Sequence, residues 1–292
     1  MKLLLEQLLV ERVTLTDGAL GTELQKRGLA AGEPGDLWNL AHPERVEEVT
    51  RSYVEAGSRI VLTNTFRSNR VTLARYGLAE KAVDLNRAGA AVAMRAAGDR
   101  ACVFGSIGPT GKLLITGEVT PEEVVGAFVE QARALAEAGL HGIVIETMGD
   151  LEEARLAVAA TRRTGLPVAG CMVFDSGKNK DRTLMGATPE QVAEALSEAG
   201  ADIVGANCGQ GIAGYVAICR RLCAATDRPV WIKPNAGLPQ LIEGRTVYAG
   251  SPEEFARCAP ELAQAGARFL GGCCGTNPDH IRALRQALAQ NR

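Results

Sequence analysis

Residues 188–208 read TPEQVAEALSEAGADIVGANC, and they hold one complete structural unit. Thr188 offers a side-chain oxygen to the free amides of a helix start, Pro189 fits the first helical position, and Glu190 lies against the positive helix end. Val192, Ala195 and Leu196 then fall on one helical face. Gly200, after Glu198 and Ala199, stands where a left-handed residue closes a helix. The apolar run 201–208 follows and ends on Cys208, as expected of a buried strand that reaches a polar rim.

The unit recurs in both directions along the chain. Short β-branched runs ending in Gly, Asn, Cys or an acid occupy 13–17, 59–64, 101–105, 142–146, 167–173, 201–208, 230–235 and 268–273. Thr120-Pro121-Glu122, Ser251-Pro252-Glu253 and Asn277-Pro278-Asp279 repeat the helix start, while Glu55-Ala56-Gly57, Glu137-Ala138-Gly139 and Gln264-Ala265-Gly266 repeat the stop. Strands alternating with helices imply parallel pairing and right-handed crossovers, and eight such units close into an α/β fold, a single (β/α)8 TIM barrel. A doubly wound open sheet is the competing architecture.

With 292 residues and no linker or low-complexity stretch, one barrel domain over 1–292 is expected. Its first segment, MKLLLEQLLVERV, is apolar but interrupted by Glu6 and Glu11 and followed by no small-residue cleavage site. It reads as an N-terminal amphipathic helix over 1–12 rather than a signal peptide. Two connections, 175–187 and 236–250, are long for this fold and leave strands on the face where such barrels do chemistry, so both are lid candidates.

A net charge of −2 with interspersed signs gives no field for capturing a polyanion, which argues against nucleic acid as a partner. No stretch approaches the ~20 apolar residues that span a bilayer, so no membrane partner is expected. Eight cysteines without a secretory signal point to reduced thiols in a cytoplasmic protein.

Polar residues crowd the strand ends: Asp17, Asn64, Glu146, Cys208, Asn235 and the pair Cys273-Cys274. Polar groups at the carboxyl ends of barrel strands read as functional, because the core below is packed with side chains. Cys208, Cys273 and Cys274 stand at the ends of the sixth and eighth strands, and Gly271, Gly272 and Gly275 free the backbone to turn both adjacent thiols. Three thiolates and an open position suit Zn2+. The competing reading of the vicinal pair is a strained disulfide. Cys102, Cys171 and Cys258 read as small core hydrophobes, and Cys219 with Cys223 as packing within one helix. Asp17 and Glu146 are placed to hold a substrate ammonium, with the backbone amides of Gly18 and Ala19 beside them for a carboxylate. The amide oxygen of Asn235 is a candidate displaceable fourth ligand, against a turn-forming role. Lys233, inside the seventh run, allows a second enzyme class, a Schiff-base barrel aldolase. A thiol- or zinc-sensing binding protein is the non-enzymatic alternative.

Asp17-Gly18-Ala19, Thr63-Asn64-Thr65-Phe66, Ile107-Gly108-Pro109-Thr110-Gly111, Glu146-Thr147, Asn207-Cys208, Pro234-Asn235-Ala236-Gly237 and Gly271-Gly272-Cys273-Cys274-Gly275-Thr276 together resemble the homocysteine S-methyltransferase family, in order and over essentially the whole chain. The resemblance implies a zinc (β/α)8 barrel that methylates homocysteine to methionine. It further implies that Cys208, Cys273 and Cys274 ligate the zinc and that Asp17 and Glu146 hold the substrate amino group, within a substrate set that includes Gly18, Ala19, Asn64 and Thr147. Residues 107–111 and 63–66 are more similar to the homocysteine-binding module of cobalamin-dependent methionine synthases than to betaine- or S-methylmethionine-using members. That likeness favours a methyl-corrinoid/methyltetrahydrofolate system as donor, with a separate methyl-corrinoid protein as a candidate partner; an S-methylmethionine- or betaine-dependent homocysteine methyltransferase is the alternative.

Overall fold

Eight parallel strands form the inner wall: β1 (Thr14–Leu15), β2 (Ile60–Leu62), β3 (Cys102–Ile107), β4 (Gly142–Met148), β5 (Val168–Met172), β6 (Ile203–Gly211), β7 (Val230–Asn235) and β8 (Ala267–Leu270). The computed structural model describes residues 2–242 and 245–290. Hydrogen bonding runs β1-β8-β7-β6-β5-β4-β3-β2. A parallel bridge between Thr16 and Ile60 and the 2.8 Å bond from Arg59 N to Leu15 O join β2 to β1. The sheet is thereby a (β/α)8 barrel, and the open-sheet alternative falls.

Local chemistry places the helices. Thr120, Thr188, Ser251 and Asn277 each accept from amides of the first turn, with Pro at the first position, in the four helices Pro121–Glu137, Pro189–Glu198, Pro252–Arg257 and Pro278–Ala289. Gly57, Gly139, Gly200 and Gly266 all have φ between 80° and 112° at the expected stops. A left-handed residue there satisfies the last carbonyls without a Cβ clash.

Two apolar layers follow from strand alternation. Side chains such as Val103, Val204 and Ile232 pack outward on the helices. Phe104, Val144, Cys171, Trp231 and Phe269 fill the barrel interior, where the Trp231 and Phe269 rings stack at 5.2 Å. The N-terminal helix Lys2–Leu8 closes the lower end. Leu8 is buried in the interior cluster, with Leu4, Leu5 and Leu9 packed on it, and the Arg268 guanidinium donates to the carbonyls of Leu9 and Arg12. Among the described residues no helix is long and apolar enough to cross a membrane.

Of the two expected lid candidates, 236–250 folds as a hairpin in which Pro239–Ile242 pairs antiparallel with Arg245–Tyr248. The connection 175–187 is pinned instead: Ser176 pairs with Arg182, Gln210 donates to Lys180 O at 2.9 Å, and Arg221 binds Asp181 at 2.6 Å. A third long connection, not anticipated, follows β1: residues 18–42 carry the helices Leu20–Lys26 and Trp38–Ala41 before Pro43–Ala56 begins. Its entry into Pro43–Ala56 keeps Pro43 and Glu44 of the helix start but has no side-chain cap at His42.

Candidate metal centre and substrate pocket

The strand period of two decides which residues reach the mouth from inside. Residues two positions above interior Phe104, Val144 and Trp231 are Ser106, Glu146 and Lys233, and Asn207 lies beside Lys233 in the β6–β7 register. All four are buried. They form a polar layer on top of an apolar one, and they are connected. Ser106 Oγ donates to Glu146 Oε1 at 2.5 Å. Asn207 Nδ2 reaches Glu146 Oε2 at 3.4 Å. Lys233 Nζ donates to Asp17 Oδ1 at 2.6 Å, and Leu62 N donates to Asp17 Oδ2 at 2.7 Å.

The electrostatics of this layer leave one carboxylate in excess. Burial alone would lower the Lys233 pKa, but Asp17, Glu146 and Cys273 outweigh it and hold the ammonium above its ordinary value. Burial lifts the Glu146 carboxyl upward, against the pull of Lys233 and Ser106. A further cation beside Glu146 would favour its ionised form.

Parity would turn Cys208 and Thr147 away from the interior, since each follows an inward residue. Both have positive φ, 64° and 62°, and both sit at breaks in strand register, between Cys208 and Gly211 and between Ile145 and Met148. Left-handed backbone with a local bulge re-aims the side chain. It costs about 1–3 kcal/mol at non-glycine residues. Asn207 steadies the Thr147 turn, accepting its N–H at 2.7 Å and donating to its Oγ1 at 2.7 Å.

Cys208, Cys273 and Cys274 come together so that their sulfurs all lie within 4.8 Å of one another. All three are free thiols, so no disulfide joins the vicinal pair. Hydrogen bonds from Cys208 and then Cys273 push the Cys274 thiol well down. Cys273 is pushed up by its bonds to Cys208 and Cys274 and by burial. One negative charge is thus tolerated without a cation, and a second is opposed. Behind them, Gly271 packs so closely on β1 that an added Cβ would lie 2.5 Å from Asp17 O.

A cavity of about 530 Å³ joins these groups, and Asp17, Gly18, Ala19, Asn64, Glu146, Thr147, Cys208, Cys273 and Cys274 all line it. Within it Ala19 N donates to Thr276 Oγ1 at 3.2 Å. Asn64 Nδ2 holds the first connection through Gly35 O at 2.8 Å and Asn39 Oδ1 at 3.0 Å. Asn235 is buried at the end of β7, where its Nδ2 donates to Gly209 O at 3.0 Å, and its Oδ1 has no partner among the described residues. The cavity also takes in Gln25, Glu33 and Asp36 from the connection 18–42, and Thr246 and Tyr248 from the hairpin; no residue of 175–187 lines it. Ser106 and Tyr248 are not singled out by the sequence, and Asn207 enters it only within the motif Asn207-Cys208, with no role of its own. The signal for Ser106 was a hydroxyl inside an otherwise apolar strand, next to its end. Cys171 packs in the barrel interior, and Cys219 and Cys223 lie 4.0 Å apart on one helix.

A parallel barrel with a buried carboxylate and three thiols that could hold a metal ion at its C-terminal mouth places its candidate site where barrels of this class do chemistry. Its family model is homocysteine S-methyltransferase, matched over residues 14–288, and the chain belongs to that family. It is 33% identical over 299 residues to methionine synthase of Mycobacterium leprae, covering 97% of this chain and 25% of the relative. Methionine synthase of Mycobacterium tuberculosis is likewise 33% identical, over 96% of this chain and 25% of its own length. The chain thus spans about a quarter of these curated relatives. The metallated Escherichia coli homocysteine methyltransferase MmuM shares the fold, with a TM-score of 0.81, 24% identity and 98% of each chain covered. Lys233, held as an ion-paired ammonium, is not a free amine nucleophile, which counts against the aldolase alternative.

Proposed function

We propose that this chain is a zinc-dependent homocysteine S-methyltransferase that forms methionine with a methyl group from a methyl-corrinoid/methyltetrahydrofolate system, delivered by a separate methyl-corrinoid protein. The observation that carries the reading is the convergence of Cys208, Cys273 and Cys274 on one point beside Glu146. Thiolates at ~2.3 Å from a tetrahedral ion stand ~3.8 Å apart, so sulfurs already within 4.8 Å fit a single Zn2+ with little movement. The orphaned Oδ1 of Asn235 fits the displaceable fourth ligand. When bound, zinc supplies a deprotonated substrate thiol at neutral pH, and an anionic three-thiolate site keeps that sulfur electron-rich.

The chain's own residues position the amino acid. Glu146, the carboxylate without a full counter-charge, is the principal acceptor for the substrate ammonium. Asp17 contributes the remaining lone pairs of a carboxylate already engaged by Lys233 and Leu62 N. Gly18 and Ala19 border the place for the carboxylate, with Asn64 and Thr147 completing the wall. The donor assignment is supported by the likeness to two methionine synthases, of whose length this chain covers a quarter. Eight free thiols support a reducing, cytoplasmic setting.

The test pairs metal content with a donor panel. The purified chain is expected to hold one zinc. Cys208→Ser, Cys273→Ser and Cys274→Ser are each expected to lose both zinc and methionine formation, whereas Asn235→Ala keeps the metal. Full activity in any cysteine variant would falsify the ligand assignment. Among methylcobalamin, methyltetrahydrofolate, S-methylmethionine and betaine, methylcobalamin is expected to support turnover; turnover with betaine or S-methylmethionine alone would overturn the donor.

A further inference from the structure

The connection 18–42 supplies one side of the cavity, including Gln25, Leu29, Ala30, Glu33 and Asp36. Polar side chains fasten its far end to the segment that leaves β2. Asn39 Nδ2 donates to the backbone carbonyl of Asn64 at 2.7 Å and to that of Leu85 at 3.2 Å. Asn64 Nδ2 donates back to Asn39 Oδ1 at 3.0 Å and to Gly35 O at 2.8 Å. Each amide nitrogen thus meets a backbone carbonyl, which can only accept, so the orientation of both amides is fixed. Asp36 adds a second fastening, its Oδ1 accepting from Arg67 N at 2.9 Å and Ser68 Oγ at 2.7 Å. Asp36 and Asn39 are both buried. Room for Asn39 is left by Gly89 of the helix Ala82–Ala97, where an added Cβ would lie 2.7 Å from Asn39 Nδ2. Ahead of this clamp the segment 28–33 turns through Gly28 and Gly32, at φ 104° and 84°, and is drawn toward it by Glu33, which accepts from Ala30 N at 3.2 Å and Trp38 Nε1 at 3.0 Å.

We propose that Asn39 and Asp36 are positioning residues for substrate binding: with Asn64 they clamp the connection 18–42 onto the segment after β2 and so set the wall against which the amino acid is held, a role that rests on the reading of the cavity as a homocysteine pocket. Asn64 spends its amide group on the clamp, so it acts on the substrate through the wall rather than by donating to it. The same connection begins at Gly18 and Ala19, where Ala19 N is bonded to Thr276 Oγ1 at 3.2 Å. It is therefore fixed at both ends. A wall already in place costs no ordering free energy when the ligand arrives, whereas a loosened one must be ordered at the expense of affinity. The cysteines are carried by β6 and by the turn after β8, different elements from those the clamp joins. Loosening the clamp thus weakens substrate binding and leaves the metal ligands in place.

The experiment compares Asn39→Ala, Asp36→Ala and Asp36→Asn in the zinc-loaded full chain. Homocysteine affinity is measured by titration calorimetry, zinc stoichiometry by metal analysis, and opening of the connection by the rate of tryptic cleavage after Lys26 and Arg27. Both alanine variants are expected to bind homocysteine about 10-fold more weakly, to be cut faster within the connection, and to keep the parent's zinc content. Asp36→Asn retains an accepting oxygen and should recover most of the affinity lost in Asp36→Ala. Leu8→Ala, which removes packing at the opposite end of the barrel, controls for stability alone and should bind homocysteine as the parent does. Unchanged affinity in both alanine variants overturns the proposal, and so does faster cleavage without loss of affinity; either result leaves the homocysteine reading intact. Should Asn39→Ala fail to fold, the Asp36 pair decides, and equal affinity in Asp36→Ala and the parent overturns the clamp. A parent chain that does not bind homocysteine overturns the reading of the pocket, and the role of the clamp with it.

Discussion

Asp17 shows how one residue's meaning depends on its neighbours. As an acid at a strand end it reads as a substrate contact, yet both its oxygens already accept bonds, from Lys233 Nζ and Leu62 N. Its side chain is 2% exposed and that of Lys233 is 4% exposed. Breaking a buried pair leaves an uncompensated charge, so Lys233→Met is expected to lower stability by about 3–5 kcal/mol in urea denaturation. Lys233→Met with Asp17→Asn should recover part of that loss, because no isolated charge then remains. A single-variant loss below about 1 kcal/mol would show that the pair does not organise the floor of the site.

Among the elements, the helix Pro278–Ala289 and the end of the hairpin connection are coupled through His280. The buried imidazole faces Gly250 O with Nε2 at 3.0 Å, and its Nδ1 lies 3.3 Å from Asn277 N and 2.8 Å from Asn277 Oδ1. Burial lowers the His280 pKa, and the Gly250 carbonyl only partly opposes this. A base whose folded pKa is depressed adds stability above its unfolded value of about 6.5 and loses it as pH falls through the folded value. Urea midpoints should therefore be flat above about pH 7 at this position and decline below about 6.5. His280→Gln should flatten part of that decline; an identical acid limb in the variant would remove His280 from the account.

For the whole molecule, the two ends of the barrel have separate tasks. Leu8 seals the lower end against the interior cluster, whereas the cysteines, Glu146 and the hairpin occupy the upper mouth. Leu8→Ala is expected to cost about 2–5 kcal/mol by thermal unfolding, as a buried leucine leaves a cavity. The same variant should hold the metal in the parent's stoichiometry, because the packed layers of Phe104, Trp231 and Phe269 lie between plug and mouth. Loss of zinc together with stability would mean that the ends are not independent.

Much of the fold was legible in the sequence because its determinants are local. Thr188 caps its helix by accepting from the amide of Gln191, three residues on, and Gly200 closes it within one turn. Strand direction then sent Cys208, Cys273 and Cys274 toward one rim, so the cluster could be read before any coordinates. Tertiary structure decided the rest. Ser106, Asn207 and Lys233 become one polar layer only through the register of neighbouring strands. Cys208 and Thr147 enter the cavity because bulges and positive φ reverse their parity. The connection 18–42 and Tyr248 reach the mouth by folding back over long sequence separations. Caps and apolar periods are set by bonds within a turn or two, whereas register, bulges and loop closure are set by contacts between distant segments, which no local pattern records.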